Sequence, residues 1–213
     1  MTRGRAAFEL AAASALVLLR VWTDSSAVLS KPLRTAVTCT AVVVIAWLAL
    51  RTPPTVESIG LRPKSWTDGL WSLAAGSALA ALALVAVGVW QGTLLAARDL
   101  DRWASSVWLL ALLQQILLHG FLAPRMSAVI RDGGTRSSLA TAAAFAIFHL
   151  PNPLLTPLSF AAAFGWREWF RRHPNLPAAW VSHAALGFAV IATQDPDVLR
   201  RMRVGAAYLN FRD

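Results

Sequence analysis

The stretch from Trp108 to Met126 constrains the fold most, because it is apolar enough to cross a bilayer yet carries polar side chains at its centre. These side chains are Gln114, Gln115 and His119. Amides and an imidazole at that depth are costly without partners, and in membrane helices they commonly mark a functional site. At about 100° per residue, Gln115 and His119 lie one turn apart on the same helix face.

Two other apolar segments each carry one histidine. His149 lies in the sequence FAIFHLPNP, and His183 lies in WVSHAALGF. We therefore predict that the three segments are membrane helices that face one another and form a single intramembrane site.

The composition favours an all-α, polytopic transmembrane helix bundle that forms one domain over residues 1–213. Charged residues make up 15% of the chain, against about 25% in a typical soluble domain. The apolar runs are also too long for ordinary core helices. A soluble helical repeat protein would need polar faces at helical period, and residues 70–90 show none.

About seven spans are predicted, with six to eight as the range. They are residues 6–22, 35–50, 70–90, 105–126, 137–150, 155–170 and 178–193. Pro124 and Arg125 are expected to end the fourth span. The segment 194–213 is a polar, basic tail in which we expect at most a short surface helix.

The net charge of +9 is attributed to the membrane rather than to nucleic acid. The basic residues cluster between the apolar runs, as expected from the positive-inside rule and from contacts with anionic lipids. The distribution of basic residues between the two sides predicts a cytoplasmic N terminus. If seven spans are correct, however, the arginines of the tail lie on the opposite side and depart from the rule. No clear cleavage site follows the first apolar run, so that run is predicted to be a retained helix. The single cysteine, Cys39, excludes a disulfide framework and a cysteine-based zinc site. We expect a bacterial inner membrane location.

Three further features are assigned to the membrane surface. Glu9 and Arg20 are expected to extend from the first span to the interface. Glu168 is expected to pair with neighbouring arginines. Tryptophans at the span edges are expected to form an interfacial belt; they are Trp22, Trp66, Trp71, Trp90, Trp103, Trp166 and Trp169.

The order of the polar motifs resembles the CAAX protease and bacteriocin-processing family, known as CPBP or Abi. The first family motif, Glu-Glu-x-x-x-Arg followed by Gly-Phe, corresponds to Gln114–Phe121. The second, Phe-x-x-x-His, is Phe145–His149, and it continues to Asn152. The third, His-x-x-x-Asn, corresponds to His183–Gly187. With the loop Ser58–Pro63, the resemblance covers roughly residues 56–190 and implies a CAAX-protease-like core.

The resemblance implies an intramembrane endopeptidase that cuts a membrane-anchored protein or peptide near the membrane surface. In the family, the first Glu and a His activate a water, the second Glu holds the site, and the Asn and second His stabilise the oxyanion. Here both carboxylates are amides, the Arg is His119 and the Asn is Gly187. Glutamine cannot act as a general base, so the site is non-standard. The residues implied as catalytic are Gln114, Gln115, His119, His149 and His183; those implied to contact substrate are Phe145, Asn152 and Gly187.

Several chemistries stay open from the sequence alone. His119, His149 and His183 could hold a zinc ion that activates water, although no cofactor is required by the pattern. Without a metal, His149 or His183 could act as the base, with a glutamine amide donating to the oxyanion. A pseudoprotease of the same fold would bind a peptide or partner helix without cutting it. A scaffold or transporter would use the polar residues only for interhelical hydrogen bonds.

Overall fold

A computed structural model describes residues 1–23, 30–51, 58–61, 66–94 and 100–210. Within these ranges the chain is helical and contains no β-strand, as predicted. Arg62 and Pro63 of the predicted family loop lie outside the described residues. The helices are α1 (Arg3–Thr23), α2 (Lys31–Arg51), α3 (Leu70–Gln91), α4 (Leu100–Gln115), α5 (Ala123–Ile130), α6 (Thr135–Ile147), α7 (Leu155–Arg172), α8 (Leu176–Thr193), α9 (Pro196–Leu199) and α10 (Gly205–Leu209).

Five helical segments of the described chain are long and apolar enough to cross a membrane: α1, most of α2, α3, Val107–Ile130 and α8. The chain is therefore an integral membrane protein. The predicted fifth and sixth spans are also helices, but α6 has only 13 residues and α7 ends in charged residues. A count of seven spans stays a prediction.

The fourth span is longer than predicted, because Pro124 does not end it. A π-helical segment, Ile116–Leu122, joins α4 to α5, and the helix continues to Ile130. Pro124 lies at the start of α5, where a missing backbone N–H is tolerated. The wide π turn before it changes the hydrogen-bond register, and such turns are frequent at functional sites.

The core surrounds this π-helical segment. Leu118, Phe121 and Leu122 are buried against aromatic and small side chains of α6 and α7, including Phe145 and Trp166. Helix α6 packs along α7, and both α3 and α4 pack on α8. This arrangement places α4, the end of α6, α7 and α8 around the predicted site.

Glu9 is buried rather than at the interface, so the prediction for this residue was wrong. Its side chain is 3% exposed. One carboxylate oxygen accepts from Arg5 Nε at 2.7 Å, and the other accepts from Arg125 Nε at 2.8 Å. Arg125 also donates to the Leu48 carbonyl at 2.9 Å and stacks on the Phe121 ring at 3.8 Å. The ion pair between Glu9 and Arg125 links α1 to α5.

Part of the described tail packs against α1 instead of lying on the surface. Residues Gly205–Ala207 are buried, and α10 contacts α1. The Gly205 N–H donates to the Leu150 carbonyl at 2.7 Å. Gly205 has φ of 57°, and a Cβ there would clash with the Val21 carbonyl oxygen. Glycine thus permits the close approach of the tail to α1.

The interfacial belt is only partly as predicted. Trp71 and Trp90 are 88% and 84% exposed, and Trp22 and Trp66 are also exposed. Trp166 and Trp169 are buried, so their assignment to the belt was wrong. The side chain of Trp103 lies outside the described part of the chain.

Candidate active site

Gln115 and His183 form a direct contact between α4 and α8. The amide Nε2 of Gln115 lies 3.1 Å from Nδ1 of His183. Gln115 is completely buried, and its Oε1 has no partner in the described residues. Since an amide nitrogen can only donate, Nδ1 of His183 is the acceptor. The proton of this neutral imidazole is then on Nε2.

His149 is held in the opposite way at the end of α6. Its Nδ1 lies 3.1 Å from the backbone carbonyl oxygen of Phe145, and the two rings are 5.1 Å apart. Since a carbonyl oxygen can only accept, Nδ1 carries the proton and Nε2 has a free lone pair. His149 is half-buried, so Nε2 can meet water or substrate.

His149 and His183 therefore have complementary hydrogen-bonding capacities. His149 presents an acceptor nitrogen, and His183 presents a donor nitrogen. The hydrogen bond at one ring nitrogen fixes the tautomer of a histidine. Here the partners are the Phe145 carbonyl for His149 and the Gln115 amide for His183. One group can take a proton while the other donates a hydrogen bond.

Trp166 positions His183 from α7. The two rings are 4.3 Å apart with an angle of 33° between their planes. Trp166 Nε1 donates to Ser182 Oγ at 2.9 Å, and Ser182 Oγ lies 2.8 Å from Ser77 Oγ on α3. Interhelical hydrogen bonds of this kind contribute about 0.6–2 kcal/mol each. Sequence reasoning missed Trp166 because its position near charged residues resembled a membrane interface.

His119 lies one turn beyond Gln115, as predicted, but it does not join the histidine pair. Its ring stacks on Phe170 of α7, with centroids 3.8 Å apart and planes within 9°. His119 is 5% exposed. Neither ring nitrogen has a hydrogen-bond partner in the described residues. Its electrostatic neighbours are Arg167 and His183.

Asn152, predicted to contact substrate, has a structural role. It is fully buried. Its Nδ2 donates to the carbonyls of Leu199 and Arg203 at 3.2 and 3.0 Å. Its Oδ1 accepts from the N–H groups of Leu154 and Leu155 at 3.1 and 2.9 Å. These bonds use the full capacity of the amide, so none remains for a substrate.

The remaining predicted residues support the site rather than form its centre. Phe145 is 2% exposed and supplies its backbone carbonyl to His149. Gly187 packs against α4, where an added Cβ would lie 3.2 Å from Val107 Cγ1. The side chain of Gln114 is half-buried. It is Gln115, the second residue of the polar pair, that contacts His183.

The geometry does not fit the zinc hypothesis. Among the described residues, which include all four histidines, no three His, Cys, Asp or Glu side chains are grouped to hold a metal ion. Nδ1 of His183 accepts from the Gln115 amide and Nε2 carries the proton, so this neutral imidazole has no free lone pair for a metal. We therefore derive no step through a metal.

A cavity of about 670 Å³ adjoins the site between α3, α7 and α8. Its lining is mainly small and apolar, and Trp166 forms part of it. The same indole contacts His183, so it separates the cavity from the histidine pair. Gly76 and Gly165 lie on its wall, and a Cβ at either position would meet no atom within 4 Å. The cavity has the size of typical ligand pockets, about 300–1,000 Å³.

The described part of the early loop docks at the start of α8. Gly60 has φ of 69°, and a Cβ there would lie 2.5 Å from the backbone of Pro174 and Asn175. The Gly60 carbonyl accepts from Leu176 N–H at 3.1 Å, and Asn175 caps α8 through the Ala178 N–H at 3.0 Å. Glycine is required here by both its φ and the close approach.

Comparison with protein-family models agrees with the motif order. Residues 98–189 match the family described as type II CAAX prenyl endopeptidase Rce1-like. Comparisons with curated proteins and with solved structures gave no match. The matched region contains the π-helical segment, Gln115 and the two candidate catalytic histidines, His149 and His183. Over residues 98–189, a little under half of its length, the chain is similar to the CAAX prenyl endopeptidase family.

Proposed function

We propose that this chain is an active intramembrane endopeptidase in which histidine tautomers replace the missing carboxylates. The observation that carries the proposal is the contrast in hydrogen bonding at the two Nδ1 atoms. The Phe145 carbonyl leaves Nε2 of His149 unprotonated, and the Gln115 amide leaves Nε2 of His183 protonated.

His149 would act as the general base. A water molecule loses a proton to His149 Nε2 as its oxygen attacks the carbonyl carbon of the scissile peptide bond. The resulting imidazolium then gives that proton to the leaving amine nitrogen as the C–N bond breaks. One water is consumed, and a carboxylic acid and an amine are formed. Acid–base catalysis by a positioned histidine contributes about 10²–10⁴-fold to the rate.

His183 would stabilise the oxyanion of the tetrahedral intermediate. Its Nε2–H points a donor at the carbonyl oxygen while Gln115 holds the opposite nitrogen. Such donors act strongly in a site that excludes water, and loss of one costs about 10²–10³-fold in kcat. Gln115 is thus a positioning residue, since it acts through His183.

The substrate would be a protein or peptide held in the membrane by an apolar anchor. The family description names prenyl endopeptidases. The cavity is mainly apolar, and Trp166, which lines it, contacts the ring of His183. We assign this cavity to the isoprenoid chain of a prenylated cysteine. Anionic lipids would contact the basic segments between the spans, with the N terminus on the cytoplasmic side of a bacterial inner membrane.

The proposal is tested by cleavage of a peptide with a prenylated cysteine in proteoliposomes. His149→Ala is expected to lower kcat by about 10²–10⁴-fold, and His183→Ala by about 10²–10³-fold. Arg136→Ala is the control, because Arg136 is exposed at the start of α6, and its kcat is expected to stay within a few-fold of the parent. Equal cleavage by all three variants would contradict the proposal.

A non-catalytic binding protein is the second candidate. It is favoured by the absence of a carboxylate at positions 114 and 115 and of an amide at 187, where the family has catalytic groups. Binding of the prenylated peptide by the parent protein without any cleavage in the same proteoliposomes would select this alternative.

A further inference from the structure

The two helices that meet at Gln115 and His183 separate beyond that contact. Helix α4 packs along α8, but the π-helical segment that continues α4 packs on α6 and α7. The hydrogen bond of 3.1 Å between Gln115 and His183 lies where the helices part. A single interhelical hydrogen bond is a weak link between membrane helices, so a further contact between the π-helical segment and α8 is needed to fix its geometry.

The early loop, of which the structure describes Ser58–Leu61, lies between the π-helical segment and the start of α8. On the first side, a Cβ added at Gly120 would lie 3.7 Å from Cγ2 of Ile59, an ordinary van der Waals distance. Gly120 is buried and follows Gln115 by five residues. Since a π turn closes with i→i+5 hydrogen bonds, Ile59 contacts the helix about one turn beyond Gln115 and on the same side.

On the second side, the loop binds the first residue of α8. The Gly60 carbonyl oxygen accepts from Leu176 N–H at 3.1 Å, a donor in the first turn that has no partner within its own helix. Leu176 precedes His183 by seven residues, or about two helical turns, so both side chains lie on one face of α8. The loop therefore joins the same two faces that Gln115 and His183 join.

Buried aromatic packing completes the link. Leu176 packs in a buried cluster with Trp169 and Phe170 of α7. The Phe170 ring stacks on His119 of the π-helical segment, with centroids 3.8 Å apart. The start of α8 is thus held against the π-helical segment by the early loop on one path and by the end of α7 on another.

We propose that Ile59 and Gly60 are positioning residues that clamp the π-helical segment to the start of α8 and so hold Gln115 at hydrogen-bonding distance from His183. They act through Gly120 and Leu176 and touch no reacting atom. The effect on cleavage rests on the proposed function, because that function gives His183 the oxyanion. A clamp stays in place during turnover, whereas a lid would have to leave this position to admit the substrate.

Removal of the Ile59 side chain tests the clamp. Ile59→Ala should lower kcat about tenfold or more with KM nearly unchanged, because a small displacement of a catalytic group is costly. In ¹⁵N-histidine NMR, the Nδ1 signal of His183 should move toward that of a nitrogen without a hydrogen bond. Ile59→Val keeps most of the side chain and should restore the parent values. Leu61→Ala is the matched control, since Leu61 lies in the same loop and is 46% exposed.

A disulfide should replace the contact that Ile59 provides. Ile59→Cys and Gly120→Cys are combined with Cys39→Ser, because Cys39 is the single native cysteine. The two positions are close enough for a disulfide, in which the Cβ atoms lie about 3.5–4.5 Å apart. We expect the reduced protein to have the low kcat of Ile59→Ala. The oxidised protein should regain most of the parent kcat and the parent signal of His183.

A parent-like kcat and His183 signal in Ile59→Ala would overturn the proposal. Cleavage that the disulfide abolishes and a reductant restores would also overturn it, since the loop would then have to open as a lid. If Ile59→Ala does not fold, the reduced and oxidised forms of the double-cysteine protein supply the same comparison. If the parent protein cuts no peptide, the proposed function fails, and the His183 signals of these two forms still decide whether the clamp exists.

Discussion

Two polar side chains on one continuous helix, Arg125 and His119, have opposite environments. Arg125 bonds the Glu9 carboxylate and the Leu48 carbonyl and stacks on Phe121. His119 is as deeply buried but has no hydrogen bond in the described part of the chain. A buried polar group with all its partners holds the fold, whereas one without partners is available to a ligand.

Polar residues of this protein thus fall into two classes: those whose hydrogen bonds maintain the helix bundle, and those that are available to act on a substrate. The first class includes Glu9, Arg125 and Asn152, each with its hydrogen bonds inside the protein. The second includes the free Nε2 of His149, the Nε2–H of His183 and His119. Substitutions in the first class should change stability, and those in the second should change activity or binding.

The largest effect is expected when the buried ion pair is broken. Glu9→Leu leaves Arg125 buried without its carboxylate, and loss of one partner of a buried pair costs about 3–5 kcal/mol. Unfolding in detergent, followed by circular dichroism, measures this loss. Arg3→Gln is the control, because Arg3 is exposed on the same helix. An equal stability of the Glu9→Leu and Arg3→Gln proteins would show that the pair does not hold α1 to α5.

A smaller effect, on catalysis alone, is expected at Gln115. Gln115→Leu removes the amide that fixes the tautomer of His183, and loss of a partner that orients a functional histidine typically costs about 10–100-fold. The loss should appear in kcat, as measured in proteoliposomes. Gln114→Leu should have the weaker effect, since the structure places Gln115 and not Gln114 against His183. The reverse order would contradict the assigned geometry.

The smallest effect is expected from filling the cavity. Gly76→Trp projects into space where a Cβ meets no atom within 4 Å. It should displace the isoprenoid chain and raise KM about tenfold, equivalent to ~1.4 kcal/mol, with kcat nearly unchanged. Leu79→Trp on the exposed face of α3 is the matched control. An unchanged KM for the Gly76→Trp protein would show that the anchor binds elsewhere.

Much of the fold was predictable because bilayer-spanning helices leave a strong signal. Five predicted spans coincide with long apolar helices, since hydropathy averages over many residues. The two histidines and Gln115 were predicted to converge, and Gln115 and His183 are in contact. The resemblance to the CAAX protease family agrees with the family match at residues 98–189.

The errors came from contacts between residues that are distant in sequence. Glu9 and Arg125 are separated by 116 positions, and nothing local marks them as a pair. Asn152 looked like a cavity residue, but its partners lie in the tail at Leu199 and Arg203. Trp166 looked interfacial because of its charged neighbours, yet it faces His183. Local pattern indicates which residues are unusual, and only packing shows whether their hydrogen bonds are satisfied.

The most direct test is the protonation state of the ring nitrogens of His149 and His183. Nitrogen NMR of ¹⁵N-histidine-labelled protein distinguishes a protonated from an unprotonated ring nitrogen, and single histidine variants assign the signals. We predict a proton on Nδ1 of His149 and on Nε2 of His183 in the neutral protein. A proton on Nε2 of His149 together with one on Nδ1 of His183 would reverse the assigned roles and contradict the mechanism.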